Sequence, residues 1–255
     1  MKTIIIIKIF LITLILAACS DNKVETNKTV SEYSIFRNDS GYINKEIGLY
    51  YLQKKSLTDT LGSWDYIKEN DTIGKYYRIQ ETRNYYVCLM DVGGRFTTHL
   101  ILLTDSCGNI LQKERFFHSH YPYCWDNYYD GFRKHENFFE IRTCATGCCF
   151  SCSELYLFKE LLPQEKQTPI VLGYWLLDIT DTIGKWEKLN STVKELSKNK
   201  LTVNYYLTKG LEISTDASII HKQTDSVHFD VIYLYDNNSW TAKDSNLLKQ
   251  ILQWR

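Results

Sequence analysis

The stretch THLILLTDSCGNILQKERFF, residues 98–117, decides the fold class. Two apolar-rich runs flank the segment 104–109, which supplies Asp, Ser, Gly and Asn, the residues that form tight turns. The pattern predicts a β-hairpin with strands at 98–104 and 109–117. Aromatic residues make up 14% of the chain, with 19 tyrosines, and this composition favours strands elsewhere as well.

Similar runs predict the remaining elements. Apolar residues at helical spacing predict a helix over 187–198, and Asp244 or Ser245 is predicted to cap a last helix. The fold is therefore predicted to be mainly β, an antiparallel sheet, sandwich or partial barrel with one or two short helices toward the C-terminus; an α+β fold is the alternative. The other predicted strands are 47–53, 75–80, 85–92, 138–143, 154–159, 170–179, 201–207, 211–214 and 227–235.

A polar segment at 162–169 holds two of the three prolines and is the best internal boundary. It separates a predicted Cys-rich β domain, 32–162, from a smaller β-rich part with a C-terminal helix, 170–255. The second part is short, so the alternative is that it completes the same sheet system.

Charge and composition exclude several classes of protein. The 30 basic and 30 acidic residues cancel, whereas a nucleic-acid-binding surface requires a basic excess, so no nucleic-acid partner is expected. Charged residues are 24% and hydrophobic residues 44%, as in ordinary globular proteins. Collagen-like, coiled-coil and wholly disordered chains are therefore excluded.

The N-terminus reads as a secretory signal. Lys2 and Lys8 form a positive region, an apolar run follows over 9–16, and the small residues Ala17 and Ala18 come next. The run is too short and too close to lysine for a membrane-spanning helix. Residues 1–18 are therefore predicted to be a cleaved signal peptide.

Leu16-Ala17-Ala18-Cys19 resembles the lipobox of bacterial lipoproteins. The resemblance implies cleavage before Cys19, whose sulfur and amine then carry the acyl chains that anchor the protein in the lipid bilayer. Residues 19–31 then form the lipidated cysteine and a flexible tether. In lipoproteins of many Gram-negative bacteria, an Asp directly after the anchoring cysteine favours retention in the inner membrane. Here Ser20 takes that place and the first Asp is Asp21, so the resemblance implies the outer membrane.

Seven further cysteines are expected to meet an oxidising compartment, where disulfides form and persist. Three disulfides and one remaining thiol are the simplest arrangement, and closeness in the predicted sheet suggests a pair between Cys88 and Cys107. The other pairings cannot be deduced from the sequence. The disulfide candidates are Cys88, Cys107, Cys124, Cys144, Cys148, Cys149 and Cys152.

Two other interpretations of the cysteines stay open. Thiolates at Cys144, Cys148 and Cys152 could converge on a soft metal ion if the loop turned helically. The segment 149–152 also has the C-x-x-C form of thiol oxidoreductases. Since the spacing is not the paired C-x-x-C of a zinc site, disulfides are the prediction, and neither a metal nor a cofactor is expected.

The segment 118–133 is unusually aromatic and interleaves its rings with Asp, Asn and Arg. Flat apolar rings beside hydrogen-bonding groups suit a glycan or peptide ligand. The alternative is a long loop held to the sheet by these aromatics and by Cys124. The candidate ligand-binding residues are Tyr121, Tyr123, Trp125, Asp126, Tyr128, Tyr129 and Arg133.

Catalysis has weaker support. Cys124 could act with His118 or His120 as base, and Asp126 with Asp130 could form a carboxylate pair. The sequence contains no G-x-S-x-G, H-E-x-x-H or P-loop motif. The chain is therefore expected to be a non-catalytic structural or interaction lipoprotein of the envelope; a glycan- or peptide-binding module and an envelope hydrolase or thiol/metal protein are the alternatives.

Overall fold

The structure is a computed structural model and describes residues 35–36, 41–57, 72–91, 98–117, 132–180, 183–214 and 218–251. These residues lie mostly in strands, which form one five-stranded and one eight-stranded sheet. Every pair of neighbouring strands is antiparallel. The predicted mainly β, antiparallel fold class is therefore confirmed.

The first sheet follows chain order, and the predicted hairpin over 98–117 forms its last two strands. A helix lies between its first two strands in the chain and packs on one face of the sheet. The elements are β1 (Tyr42–Asn44), α1 (Lys45–Lys54), β2 (Thr72–Arg78), β3 (Tyr85–Asp91), β4 (Thr98–Thr104) and β5 (Ile110–Phe117).

The predicted strand at 47–53 is wrong, because this segment belongs to α1. The Asn44 side chain accepts a hydrogen bond from the Glu46 backbone N–H at 2.9 Å and so caps the first turn. Gly48, Tyr51 and Leu52 are the buried residues of the helix. Tyr51 and Leu52 lie three and four residues after Gly48, so the three residues share one helical face, which packs toward the sheet.

The second sheet contains the eight remaining strands of the described residues. They are β6 (Phe132–Lys134), β7 (Phe139–Thr146), β8 (Phe150–Phe158), β9 (Ile170–Thr180), β10 (Ile183–Leu196), β11 (Lys200–Ser214), β12 (Ile219–Asp236) and β13 (Ser239–Ala242). Their order in the sheet is β13-β12-β11-β10-β9-β8-β7-β6. β8 and β9 pair with each other on either side of the segment 162–169, so the hydrogen-bonded sheet runs across this segment.

The helix predicted over 187–198 is also wrong, because residues 183–196 form β10. Leu189 lies opposite Tyr174 on β9 and Leu207 on β11, and all three side chains are buried in one core. Pairing with strands on both sides therefore overrides the helical spacing of the apolar residues in 187–198.

The two sheets pack face to face through aromatic side chains, as in a sandwich. Tyr86 of the first sheet meets Phe139 of the second at 4.5 Å between ring centroids, and Phe116 meets Tyr156 at 5.3 Å. These rings are at most 8% exposed and belong to a single core cluster. Aromatic burial between the layers therefore holds the two sheets together.

The second sheet curls so that strands that are not neighbours in it come into contact. The Tyr205 hydroxyl on β11 donates a hydrogen bond to the Val171 carbonyl on β9 at 2.9 Å. The Trp240 indole N–H on β13 donates to the Leu157 carbonyl on β8 at 3.0 Å. Side chains, instead of a strand ladder, thus bridge β13 to β8 and enclose a second core, as in a partial barrel.

Two further predictions are confirmed. The predicted strands over 138–143 and 154–159 correspond to β7 and β8, which pair as an antiparallel hairpin. The last helix is α2 (Ser245–Leu248), and the Asp244 side chain accepts a hydrogen bond from the Asn246 N–H at 2.9 Å. Within the described ranges, neither helix combines the length and the apolar character needed to cross a membrane.

Candidate functional site

A polar cleft of about 500 Å³ opens where the two sheets meet at one end of the sandwich. Residues just after β2 and the connection between β6 and β7 face each other across it. The Lys134 ammonium donates to the Arg78 carbonyl at 3.0 Å and so ties the two sheets together beside the cleft. The cleft is lined by Ile79, Gln80, Glu81, Lys134, His135, Glu136, Asn137, Phe138, Phe139, Lys159 and Glu160.

A buried carboxylate lies beside this cleft. Glu140 on β7 is 3% exposed. One oxygen of its carboxylate lies 2.6 Å from His135 Nε2, and the other accepts a hydrogen bond from Arg142 Nε at 2.7 Å. We call these three residues the Glu140 network.

The network holds Glu140 ionised. Burial, the largest single influence, raises the pKa of the carboxyl, but the hydrogen bond from His135 and the charge of Arg142 together outweigh it. The net pKa of Glu140 therefore lies below its ordinary value. A fixed anion of this kind orients the His135 imidazole, which is partly exposed and lines the cleft.

The structure brings one predicted ligand-binding residue to this network. Arg133 on β6 is exposed and lies directly opposite Glu140 on β7. His135, Glu140 and Arg142 were not predicted as a group from the sequence. One feature of the sequence could have indicated the pair Glu140 and Arg142. They lie two residues apart within the predicted strand 138–143, a spacing that puts both side chains on one face of a strand.

Most of the predicted ligand-binding segment lies outside the described residues. Cys19 and the tether, the histidines and aspartates considered for catalysis, and Cys124 also lie outside the described residues. The residues so affected are Tyr121, Tyr123, Trp125, Asp126, Tyr128, Tyr129, His118, His120 and Asp130.

The cysteines divide into one disulfide-bonded residue and several thiols. Cys144 is disulfide-bonded. In the described ranges, Cys88, Cys107, Cys148, Cys149 and Cys152 carry thiols, and no group of three or more Cys, His, Asp or Glu side chains is arranged to hold a metal ion.

The predicted pair between Cys88 and Cys107 is wrong. Cys88 lies opposite Ile101 in the middle of the first sheet, whereas Cys107 belongs to the turn that follows Thr104. Thr104 lies three residue steps along β4 from Ile101, about 10 Å at the usual rise, which exceeds the reach of a disulfide, and both cysteines carry thiols. Burial raises the pKa of the Cys88 thiol, as expected for a core cysteine.

The four long strands of the second sheet end in a group of isoleucines. Ile183, Ile213 and Ile220 lie side by side on β10, β11 and β12, so their side chains share one face. Ile183 is 47% exposed and Ile220 50% exposed. We call this set the isoleucine row.

Comparison of the chain with protein-family models, with curated proteins and with solved structures gave no match in any of the three.

Proposed function

We propose that this protein is a non-catalytic interaction lipoprotein of the bacterial envelope, anchored in the bilayer through acylated Cys19 and located in the outer membrane. The observation that carries the proposal is the disulfide at Cys144, added to the lipobox-like sequence 16–19. Disulfides persist in the envelope and are rare in the cytosol. A chain with both features fits export followed by lipid anchoring.

The isoleucine row supports an interaction role. Exposed apolar side chains that are grouped on one face mark contact sites more often than scattered ones do. The row lies at the far ends of β9 to β12, and the neighbouring part of β12, residues 219–226, is exposed throughout. Such a projecting sheet end offers an accessible surface for a partner protein.

Replacing Cys19 with alanine is expected to move the protein from the membrane fraction to the soluble periplasmic fraction, because the acyl chains supply the anchoring energy. Fractionation on a density gradient, with mass spectrometry of the N-terminal peptide, measures both location and acylation. The wild-type peptide is expected to begin at Cys19 and to carry fatty-acid mass.

The matched control is Cys107→Ala, which removes an exposed thiol from a surface turn and should leave location unchanged. An intact N-terminal methionine on the wild-type protein, without added lipid, would contradict the proposal. Continued membrane association of Cys19→Ala would contradict the role of the acyl anchor.

A second candidate function is binding of a glycan or peptide by the aromatic segment 118–133. The observation that favours it is the position of the segment's end. Arg133 is exposed on β6, and the next two residues, Lys134 and His135, line the polar cleft. A ligand held by the aromatic segment would therefore have charged groups within reach.

Replacing Trp125 with alanine is expected to weaken binding of soluble muropeptides by about 2 kcal/mol, roughly 30-fold in Kd, while leaving the melting temperature nearly unchanged. Calorimetric titration against these peptide-bearing glycans measures the affinity. Tyr50→Ala, an exposed aromatic on α1, serves as control. A large fall in melting temperature, or no muropeptide binding by the wild type, would count against this function.

A further inference from the structure

Two adjacent cysteines occupy the tip of the β7–β8 hairpin. Cys148 and Cys149 are the central residues of a turn that is closed by a hydrogen bond from the Gly147 N–H to the Phe150 carbonyl at 2.7 Å. The Phe150 ring lies so close to Gly147 that a Cβ there would meet it at 2.3 Å. Ring and hydrogen bond together hold the two thiols at the end of the hairpin.

The two thiols contact each other but differ in environment. Cys148 is exposed, and Cys149 is half-buried against the neighbouring strand, where its carbonyl accepts a hydrogen bond from the Leu177 N–H at 2.9 Å. The Cys149 thiol is hydrogen-bonded to the side chain of Cys148.

The difference in exposure assigns different roles to the two sulfurs. Hydrogen bonding to Cys148, together with burial, raises the pKa of the Cys149 thiol, and the carboxylate of Glu212 raises it further. Cys148 is the exposed member of the pair, so the disulfide of a partner reaches its sulfur first.

We propose that Cys148 and Cys149 form a redox-active dithiol that exchanges with the disulfide of an envelope thiol oxidoreductase. The proposal rests on the proposed envelope location, because a thiol-oxidising partner is available there. It gives these two cysteines a reversible role, in contrast to the structural disulfide at Cys144.

The exchange balances in two steps. The Cys148 thiolate attacks one sulfur of the partner's disulfide, forming a mixed disulfide and releasing the other sulfur as a thiolate. Cys149 then attacks the Cys148 sulfur, closes an intramolecular disulfide and releases the partner's second thiolate. The two thiol protons pass to the released thiolates, so the dithiol is oxidised by two electrons and the partner's disulfide is reduced to two thiols.

Oxidation is expected to alter the turn locally. A disulfide between adjacent residues closes a small ring that includes the peptide bond joining them. The backbone at Cys149 must therefore reorient, and its carbonyl accepts the hydrogen bond from Leu177 at the edge between β8 and β9. Protection of the Leu177 amide against hydrogen exchange is expected to fall on oxidation.

The test uses the purified full chain and glutathione disulfide as oxidant, followed by acid quenching, alkylation of the remaining thiols and mass spectrometry of the peptide 143–159. In the wild type, Cys148 and Cys149 are expected to lose their alkylation together and to be joined to each other. In Cys149→Ser, glutathione is expected to remain on Cys148, because the resolving sulfur is missing. In Cys148→Ser, the reaction is expected to be lost.

Cys152→Ser is the matched control, since Cys152 is a nearby thiol on β8, the strand that follows the turn, and should not be needed. A disulfide that joins Cys152 to Cys148 or Cys149 would overturn the proposal, as would unchanged alkylation of both tip thiols. The assay is independent of lipid anchoring. An acylated protein without this exchange would refute the dithiol alone, and a chain that exchanges but is never acylated would refute the proposed anchoring alone.

Discussion

Replacing Arg142 with methionine is expected to lower the free energy of unfolding by about 1–3 kcal/mol at neutral pH, because the buried Glu140 carboxylate loses one of its two hydrogen-bond partners in the network. The variant keeps much of the apolar stem but removes the guanidinium that donates to Glu140 at 2.7 Å. The Glu140 carboxylate, with only 4% of its side chain exposed, would then retain His135 as its one partner in the network. A buried carboxylate that keeps its charge but loses one of its two partners is destabilising, so we expect a larger effect from removing the partner than from removing the acid.

Chemical denaturation of the wild type, Arg142→Met and Glu140→Gln measures this asymmetry. Glu140→Gln removes the buried charge together with its desolvation cost, and its effect should be smaller than that of Arg142→Met. Arg78→Met is the matched control, because Arg78 is an exposed arginine at the end of β2, in the other sheet. If Glu140→Gln and Arg142→Met lowered the free energy of unfolding equally, the network would act only through packing.

The stability of the wild type and of Arg142→Met should also depend differently on pH. The folded pKa of Glu140 lies below its unfolded value of about 4.3, so its stabilising contribution is present above that value and is lost as the pH falls through the folded pKa. In Arg142→Met, burial of the carboxyl is less opposed, and the folded pKa should rise. The stability difference between Arg142→Met and the wild type should therefore narrow on acidification.

Sequence patterns predicted strands correctly where residues close together in the chain, such as those of a turn, determine the structure. The hairpin over 98–117 was found because a turn made of Asp, Ser, Gly and Asn separates two apolar runs. Asp105 confirms that local logic, since its side chain accepts hydrogen bonds from the backbone N–H groups of Cys107 and Asn109 at 2.9 and 2.8 Å. Such turns are determined by residues within a few positions of each other.

The errors arose where distant partners decide the structure. Leu189 and its helical spacing predicted a helix, but the strand forms because Tyr174 and Leu207 lie on either side of it. Glu140 was not predicted to be buried, because alternation in β7 assigns a charged residue to the solvent face. Both faces of β7 are covered in the fold, which only the packing of the two sheets and the curl of the second sheet could determine.

Replacing Trp240 with alanine is expected to lower the free energy of unfolding by about 3–5 kcal/mol, the usual cost of emptying a buried aromatic site. Trp240 is 3% exposed and packs against the rings of Phe138 and Tyr235, each at 5.1 Å. Its N–H also bridges β13 to the Leu157 carbonyl on β8. The side chain therefore fills the enclosed core and holds the curled edge of the sheet in place.

Trp240→Phe separates these two contributions. Phenylalanine keeps most of the buried ring but cannot donate to Leu157, so its cost should be about 1–2 kcal/mol, that of one lost buried hydrogen bond with a small cavity. Chemical denaturation gives both values, and hydrogen exchange at β13 reports whether the edge detaches. If the alanine variant cost no more than the phenylalanine variant, packing at this position would contribute little. The shared cost of the two variants would then come from the lost hydrogen bond to Leu157, which joins β13 to β8.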